Sequence, residues 1–322
     1  MAITIGLESE YLLLSTTIDR IQHLVGSNGI AEEFYRFMVE VTTDPWGSPR
    51  LAVTQLEARV RALEAHVSLN PFSYYLEADP QITFRDVTKD TPYYRWVYYE
   101  ACRRLGKHPF DLHYVGIHIN AADASMSDNA YIAAASWLRS WSWIFILLTA
   151  NSPFRQGRAS VVLSRRMLQF PNRYDVPYWQ GGGEFRQWMR KEEVARRVYP
   201  GRARCWMTVC PRVVGNDLDQ PFERIEVRSL DGGRAVTAGI IEGCCSLVIR
   251  LLENRETRSL PHLSDLEAND KTVAAVGRNA AVVNGRKTRP ALEVARWWCQ
   301  GISALEEVLE CGSPAEQVLR HL

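Results

Sequence analysis

The chain lacks the usual markers of a specialised protein. Lys and Arg number 38 against 37 Asp and Glu, a net charge of +1. No excess of either sign marks a nucleic-acid or membrane-surface partner. No apolar run approaches the ~20 residues that span a bilayer; the longest, WSWIFILLTA, occupies residues 141–150. The N-terminal stretch MAITIGLESEYLLL has no basic segment and carries two glutamates where a signal peptide would be apolar. A cytoplasmic protein is the expectation. Seven cysteines is an odd number, and no CxxC occurs; Cys205 with Cys210 and the adjacent Cys244 and Cys245 are the closest arrangements. A disulfide framework or structural zinc is disfavoured, and reduced thiols are expected. There is no GxGxxG. The glycine run in WQGGGEF, Gly181 to Gly183, lacks the Lys-Ser/Thr of a phosphate-binding P-loop. No repeat or low-complexity stretch is visible.

What remains is an ordinary globular composition, 46% hydrophobic and 23% charged, which excludes a disordered chain. Length alone, 322 residues, suits two domains or one large one. Alternation predicts strands at residues 3–14, 34–43, 113–120 and 224–230. The turn signal DPWG, Asp44 to Gly47, follows the second. Helical spacing of Leu56, Val60, Leu63 and Val67 predicts a helix over 51–67. Further helices are expected at 128–148, with Asp128 able to cap its start, at 235–252, and two or three times more before the C-terminus. Strands and helices without a βαβ rhythm imply an α+β fold around one antiparallel sheet. No domain boundary stands out. Residues 169–201, with Pro171, Pro177 and the glycine run, read as a lid or rim.

The chemistry lies where charges interrupt apolar strands. Glu8 and Glu10 are two apart and share a strand face. Like charges that close repel unless a cation lies between them. Glu40 sits inside FMVEVTT, with Glu33 seven residues before it. His118 and Asn120 share a face of GIHIN, and Glu226 and Arg228 share a face of IEVRSLD. Each feature has an ordinary alternative: a solvated face, a core histidine with its hydrogen bond, a surface ion pair of little worth. Together they gather hard oxygen ligands and one imidazole, which suits Mg²⁺ or Mn²⁺ rather than zinc. Mg²⁺ held by a few carboxylates keeps positions for nucleotide phosphates, which points to ATP chemistry without a P-loop. A cationic group follows the apolar run. Arg155, Arg158 and then Arg165 and Arg166 can grip carboxylate or phosphate, or line a solvated loop.

Five ordered motifs, TIGLESEYLLL, FMVEVTT, GIHIN, ANSPFRQGR and IEVRSLD, resemble the glutamate–cysteine ligase family. These are carboxylate–amine ligases built on a glutamine-synthetase-like sheet. The resemblance covers about residues 3–320. GIHIN and IEVRSLD are similar to the long bacterial ligases. ANSPFRQGR, AGIIEGCCSLVIRLL, residues 278–285 and the helix start Ser313-Pro314-Ala315-Glu316 are similar to the short ones.

The resemblance implies a mainly antiparallel sheet with a concave active-site face, helices packed on its other side, and one catalytic domain over residues 1–322. It implies an enzyme that uses ATP and Mg²⁺ to phosphorylate a carboxylate, the γ-carboxyl of glutamate in the parent enzymes, and joins it to an amine. By the same resemblance Glu8, Glu10, Glu33, Glu40, His118 and Glu226 hold metal ions. Arg228, Arg155 and Arg158 meet the nucleotide, and Arg228 and Arg165 stabilise the transferred group. His118, Asn120 and Arg165 contact substrate. Arg36 stands where the short ligases carry an acid, so the local metal shell departs from theirs. Asn70-Pro71-Phe72 stands near their His-Pro-Phe. The aromatic belt Tyr93 to Tyr99 is either a packed helix or a pocket wall.

The acceptor amine stays open, cysteine or a bulkier amine of a specialised metabolite. A guanidino-kinase-like phosphotransferase and a non-catalytic ligand-binding relative are the competing readings. The partners expected are small-molecule substrates, neither nucleic acid nor membrane, with a homodimer left open.

Overall fold

The computed structural model describes all residues except 1, 15, 75–82, 105, 107–112, 156–157, 170–172, 202–205, 256–259, 286 and 322. Its strands are β1 (Thr4–Leu12), β2 (Ile30–Glu32), β3 (Met38–Thr42), β4 (Gly116–Ala122), β5 (Phe154–Arg155), β6 (Arg158–Ala159), β7 (Val209–Val213), β8 (Phe222–Asp231), β9 (Ala281–Asn284) and β10 (Lys287–Pro290). Six of them form one sheet in the order β2-β3-β1-β4-β8-β7, antiparallel throughout. The pairs β5–β6 and β9–β10 are separate hairpins.

The helices, in chain order, are α1 (Pro49–Glu64), α2 (Pro92–Arg95), α3 (Cys102–Arg104), α4 (Asp128–Arg139), α5 (Ser142–Thr149) and α6 (Arg165–Gln169). They continue with α7 (Gly182–Val194), α8 (Ala238–Glu253), α9 (Leu263–Val276), α10 (Ala291–Cys299), α11 (Ser303–Cys311) and α12 (Pro314–Leu319). A π-helical turn, Trp96–Ala101, joins α2 to α3.

Strand alternation splits the sheet into two faces. Ile5 and Leu7 of β1, Val39 and Val41 of β3, and Ile117, Ile119 and Ala121 of β4 are buried in one large core. That core is completed by α1, α4, α5 and α8, so the helices cover this face. Glu8, Glu10, Glu40, His118 and Asn120 take the intervening positions and point the other way. Register aligns them: Glu8 lies opposite His118, and Glu10 opposite Glu40. On β8 the alternation slips. Ile119 pairs with Val227 but Ile117 with Leu230, so three steps of β8 match two of β4. The extra residue falls at Arg228–Ser229, beside His118, and re-aims that stretch.

Several expectations change. The strand expected over 34–43 is β3 alone. The residues before it turn, with the Met38 N–H donating to the Tyr35 carbonyl, and close a hairpin with the unforeseen β2. The helix expected over 128–148 is two helices bent by 49°. Serine hydroxyls compete with the backbone at the break: Ser140 donates to the Trp137 carbonyl and Ser142 to that of Arg139. Ser127, not Asp128, caps the start, accepting from the Ala130 N–H; Asp128 instead pairs with Arg186 at 2.9 Å. Residues 169–201 are not a structureless lid. Gly182 opens α7, whose Phe185 and Met189, four apart, are fully buried; the rest of that reading, at 170–172, lies outside the described residues. Four helices and the β9–β10 hairpin fill the C-terminal part. No single described helix is long and apolar enough to cross a membrane. Five cysteines are buried thiols and Cys311 is an exposed one; Cys205 lies outside the described residues.

Candidate active site

The polar face of the sheet floors a cavity of about 300 Å³. Two groups of ligand-type side chains lie in it. Glu8, His118 and Glu226 bring their donor atoms within 4.8 Å of one another, and so do Glu10, Glu33 and Glu40. Each acid of the first group touches the histidine: His118 Nδ1 is 3.3 Å from Glu8 Oε2 and 3.3 Å from Glu226 Oε1. Asn120 donates to Glu8 Oε1 at 3.1 Å, and accepts from Arg224 Nε at 2.8 Å. In the second group, Glu10 Oε2 accepts the Gly116 N–H at 2.8 Å. Glu33 enters from the turn after β2.

The electrostatics separate the acids. Burial, with Glu33, Glu8 and Glu10 close by, holds the Glu40 carboxyl well above the usual carboxylate range. Burial also pushes Glu8 up, but the His118 hydrogen bond and charge bring it below its ordinary value. At Glu226 burial is outweighed by Arg212, Arg228 and His118, and the carboxyl is held low.

The groups present fit a hard divalent cation. Three carboxylates crowd one point, and a histidine among three glutamates has a buried Nε2 with no hydrogen-bond partner. Such a cluster is repulsive by itself and satisfied by a cation. The oxygen-rich donor set suits Mg²⁺ or Mn²⁺.

Arginines close the other side. Arg228 Nη1 is 3.3 Å from Glu226 Oε1. Arg212, on β7, hydrogen-bonds the second oxygen of Glu226. Arg166 is buried and donates from Nη1 to the Arg228 carbonyl at 2.9 Å. Its guanidinium lies over Gly116, where any Cβ would collide with it. Burial lowers its pKa, opposed by Asp231 and Glu10.

Asp231 explains the ANSPFRQGR motif. Its carboxylate accepts from the Asn151 N–H, the Ser152 hydroxyl and the Ser164 hydroxyl at 2.7–2.9 Å. Ser152 Oγ in turn accepts the Arg166 N–H at 3.0 Å. The motif thus anchors the start of α6 and with it Arg166.

The structure brings together Glu8, Glu10, Glu33, Glu40, His118, Glu226 and Arg228, all of which line the cavity; Asn120 reaches it through Glu8. Arg165 is not among the lining residues; it donates to Ser160 Oγ at 2.8 Å. The first turn of α6 sends Arg166 inward in its place. Arg158 is exposed on the β5–β6 hairpin and does not line the cavity. The Arg155 side chain lies outside the described residues. Arg36 pairs with Asp19 at the surface. The aromatic belt serves both readings: Tyr93, Tyr94 and Val97 line the cavity and pack on a small core around Tyr35. Reading the sequence placed Arg166 in the cationic group but gave its role to Arg165, and missed Arg212 and Arg224. Alternation in VCPRV carried a signal for Arg212, an arginine inside an apolar strand.

A six-stranded antiparallel sheet with acids on one face and helices on the other defines the glutamine-synthetase-like class. The family model described as glutamate-cysteine ligase family 2 matches residues 4–238, and the chain belongs to that family. Two solved structures share the fold. One is a bifunctional glutathione synthetase from Pasteurella multocida, with TM-score 0.69, 15% identity, and coverage of 99% of this chain and 50% of that one. The other is a glutamate–cysteine ligase from Francisella tularensis in complex with AMP, with TM-score 0.66, 14% identity, and coverage of 100% and 85%. The chain therefore spans half the length of the Pasteurella enzyme. No curated protein matches it in sequence.

Proposed function

We propose that the chain is an ATP-dependent carboxylate–amine ligase acting on the γ-carboxyl of glutamate and on an amine, cysteine or another amino acid. The observation that carries this reading is the pair of acid clusters set against Arg166, Arg212 and Arg228 across one cavity. Such a site handles several anions at once, as phosphoryl transfer to a carboxylate requires.

Glu8, His118 and Glu226 would hold one Mg²⁺, and Glu10, Glu33 and Glu40 another; bound there, Mg²⁺ supplies charge neutralisation for the nucleotide oxygens. The substrate carboxylate attacks the γ-phosphoryl group, ADP leaves, and an acyl phosphate forms. The amine then attacks the acyl carbon and inorganic phosphate leaves. Arg228 and Arg166 stabilise charge on the transferred phosphoryl group. Arg212 keeps Glu226 oriented and ionised. Asn120 fixes Glu8. The aromatic wall of Phe34, Tyr93, Tyr94 and Trp206 excludes water from the acyl phosphate. No side chain acts as a covalent nucleophile.

The test is ADP release that requires Mg²⁺, glutamate and an amine together. Glu226→Gln is expected to lower kcat about 10²–10³-fold, the size typical of a lost electrostatic group. Hydroxylamine in place of the amine should yield a hydroxamate. ADP release without hydroxamate would identify a phosphotransferase and sink the ligase reading.

A further inference from the structure

One face of β8 carries an arginine on each side of an acid. Strand alternation puts Arg224, Glu226 and Arg228 on that face, and all three line the acid cavity. Glu226, which meets His118, is in the middle. On one side Arg228 stands with Arg166, whose guanidinium donates to the Arg228 carbonyl. The proposed reaction uses that side for the transferred phosphoryl group. Arg224 marks the other side, and the reaction as described does not use it.

Arg224 is nonetheless held in place. Its Nε donates to Asn120 Oδ1 at 2.8 Å, and Asn120 in turn donates to Glu8. Its Nη1 pairs with Glu223, while its Nη2 has no hydrogen-bond partner among the described residues. Register places Arg224 directly opposite Arg212 of β7, which also lines the cavity. Like charges directly opposite each other destabilise a strand pair. Arg212 is compensated by the buried Glu226. Arg224 has Glu223, whose side chain is 34% exposed, and an ion pair open to water contributes little. An oriented guanidinium with an open edge, facing a second arginine, is a place for an anion.

Spacing says which anion. Residues two apart on a strand are about 7 Å apart, so Arg224 stands about that far from Glu226. The two carboxyl carbons of an extended glutamate are four bonds apart, about 5 Å at ~1.5 Å per bond. A γ-carboxyl placed at the metal-holding acids therefore brings the α-carboxylate within reach of the Arg224 guanidinium. The phosphates lie the other way, at Arg228 and Arg166.

We propose that Arg224 is a specificity-determining residue that receives the α-carboxylate of the donor, so that the enzyme selects a dicarboxylate over a monocarboxylate of the same reach. Asn120 holds Arg224 and Glu8 at once, and so sets the span between the places of the two carboxylates. The inference rests on the ligase reading and adds donor selectivity to it.

The test compares L-glutamate with 4-aminobutyrate, which is glutamate without its α-carboxylate. Each is supplied with ATP, Mg²⁺ and hydroxylamine, and the hydroxamate is measured. Wild-type kcat/KM should favour glutamate by about 10–10²-fold, the size of a charge-assisted contact, mainly through KM. In Arg224→Gln this ratio should fall towards one. Arg224→Lys keeps the charge but not the planar fork and should retain part of the ratio. A wild-type enzyme that uses both acids equally well overturns the proposal, whether or not any variant folds. So does a loss in Arg224→Gln that both acids share equally, which would make Arg224 only a support for Asn120. So does a rise confined to the KM for ATP, which would assign Arg224 to the nucleotide. Hydroxamate from neither acid would sink the ligase reading itself, and the proposal with it.

Discussion

The two cavities of this molecule lie on opposite sides of one sheet and are built in opposite ways. The acid cavity is small, polar and set by strand register. Its groups repel one another, and Glu40 is held far from its ordinary ionisation. The other, about 740 Å³, lies among the helices behind the sheet and is lined by Trp137, Trp141, Trp143, Trp297 and Trp298. This tryptophan cavity is mainly aromatic, and set by the bend between α4 and α5 and by the β9–β10 hairpin. Its rings pack on one another and belong largely to the main core. The first region is destabilised for chemistry and the second is stable without it. Strain concentrated at a functional face and offset by an apolar one is a general pattern in proteins.

Substitutions break this comparison in order of size. Trp143→Ala removes a ring that is 2% exposed and should cost about 3–5 kcal/mol of unfolding free energy, read by urea denaturation. Activity should fall only as the folded fraction falls. Glu40→Gln should act the other way. It removes a carboxyl that folding forces out of its ordinary ionised state, so the melting temperature in EDTA should rise while turnover falls roughly 10²-fold. A lowered melting temperature in EDTA would mean that the cluster is not repulsive. Next comes the neighbouring pair on α6. Arg166→Ala should lower kcat by about 10²-fold, whereas Arg165→Ala should stay within about twofold. Equal losses would remove the distinction between the two arginines.

The smallest effect is a pH dependence at the bend. Asp270 is buried, accepts from Ser142 Oγ at 2.7 Å, and burial pushes its carboxyl up to about 7, opposed by its hydrogen bonds to Ser142 and Tyr174. An acid whose folded value is raised binds a proton in the folded state that the unfolded chain has lost. Its contribution therefore declines as pH rises from about 4, its unfolded value, through about 7. Asp270→Asn should flatten that part of the stability profile, followed by melting temperature across pH 4–8. An unchanged slope would assign the pH dependence to other groups.

The acid face was legible in the sequence because strand alternation is strict. A glutamate two residues from another, between isoleucines and leucines, can point only one way. Glu8, Glu10, Glu40, His118 and Glu226 follow from that rule. The arginines were harder. Arg165 and Arg166 are adjacent, and which of them faces inward depends on where α6 begins, which Ser152 and Asp231 decide through contacts about 14 and 65 residues away in sequence. The bend at Ser140 was hidden because large apolar residues continue at helical spacing on both sides of it. β2 was hidden by its length of three residues, and α7 by the glycines that open it.

The slip on β8 makes that strand change phase partway along. Before it, even-numbered Glu226 and Arg228 serve the cavity; after it, even-numbered Leu230 is core and Asp231 becomes the anchor for Asn151, Ser152 and Ser164. One strand thus delivers chemistry, packing and a lock in six residues. Its reading frame depends on the extra residue: straightening the slip at this length would turn Leu230 to the acid face and Asp231 into the core, whereas deleting Ser229 would leave both opposite Ile117 and Gly116. A one-residue deletion within β8 is therefore expected to be borne at Ser229 and nowhere else in the strand.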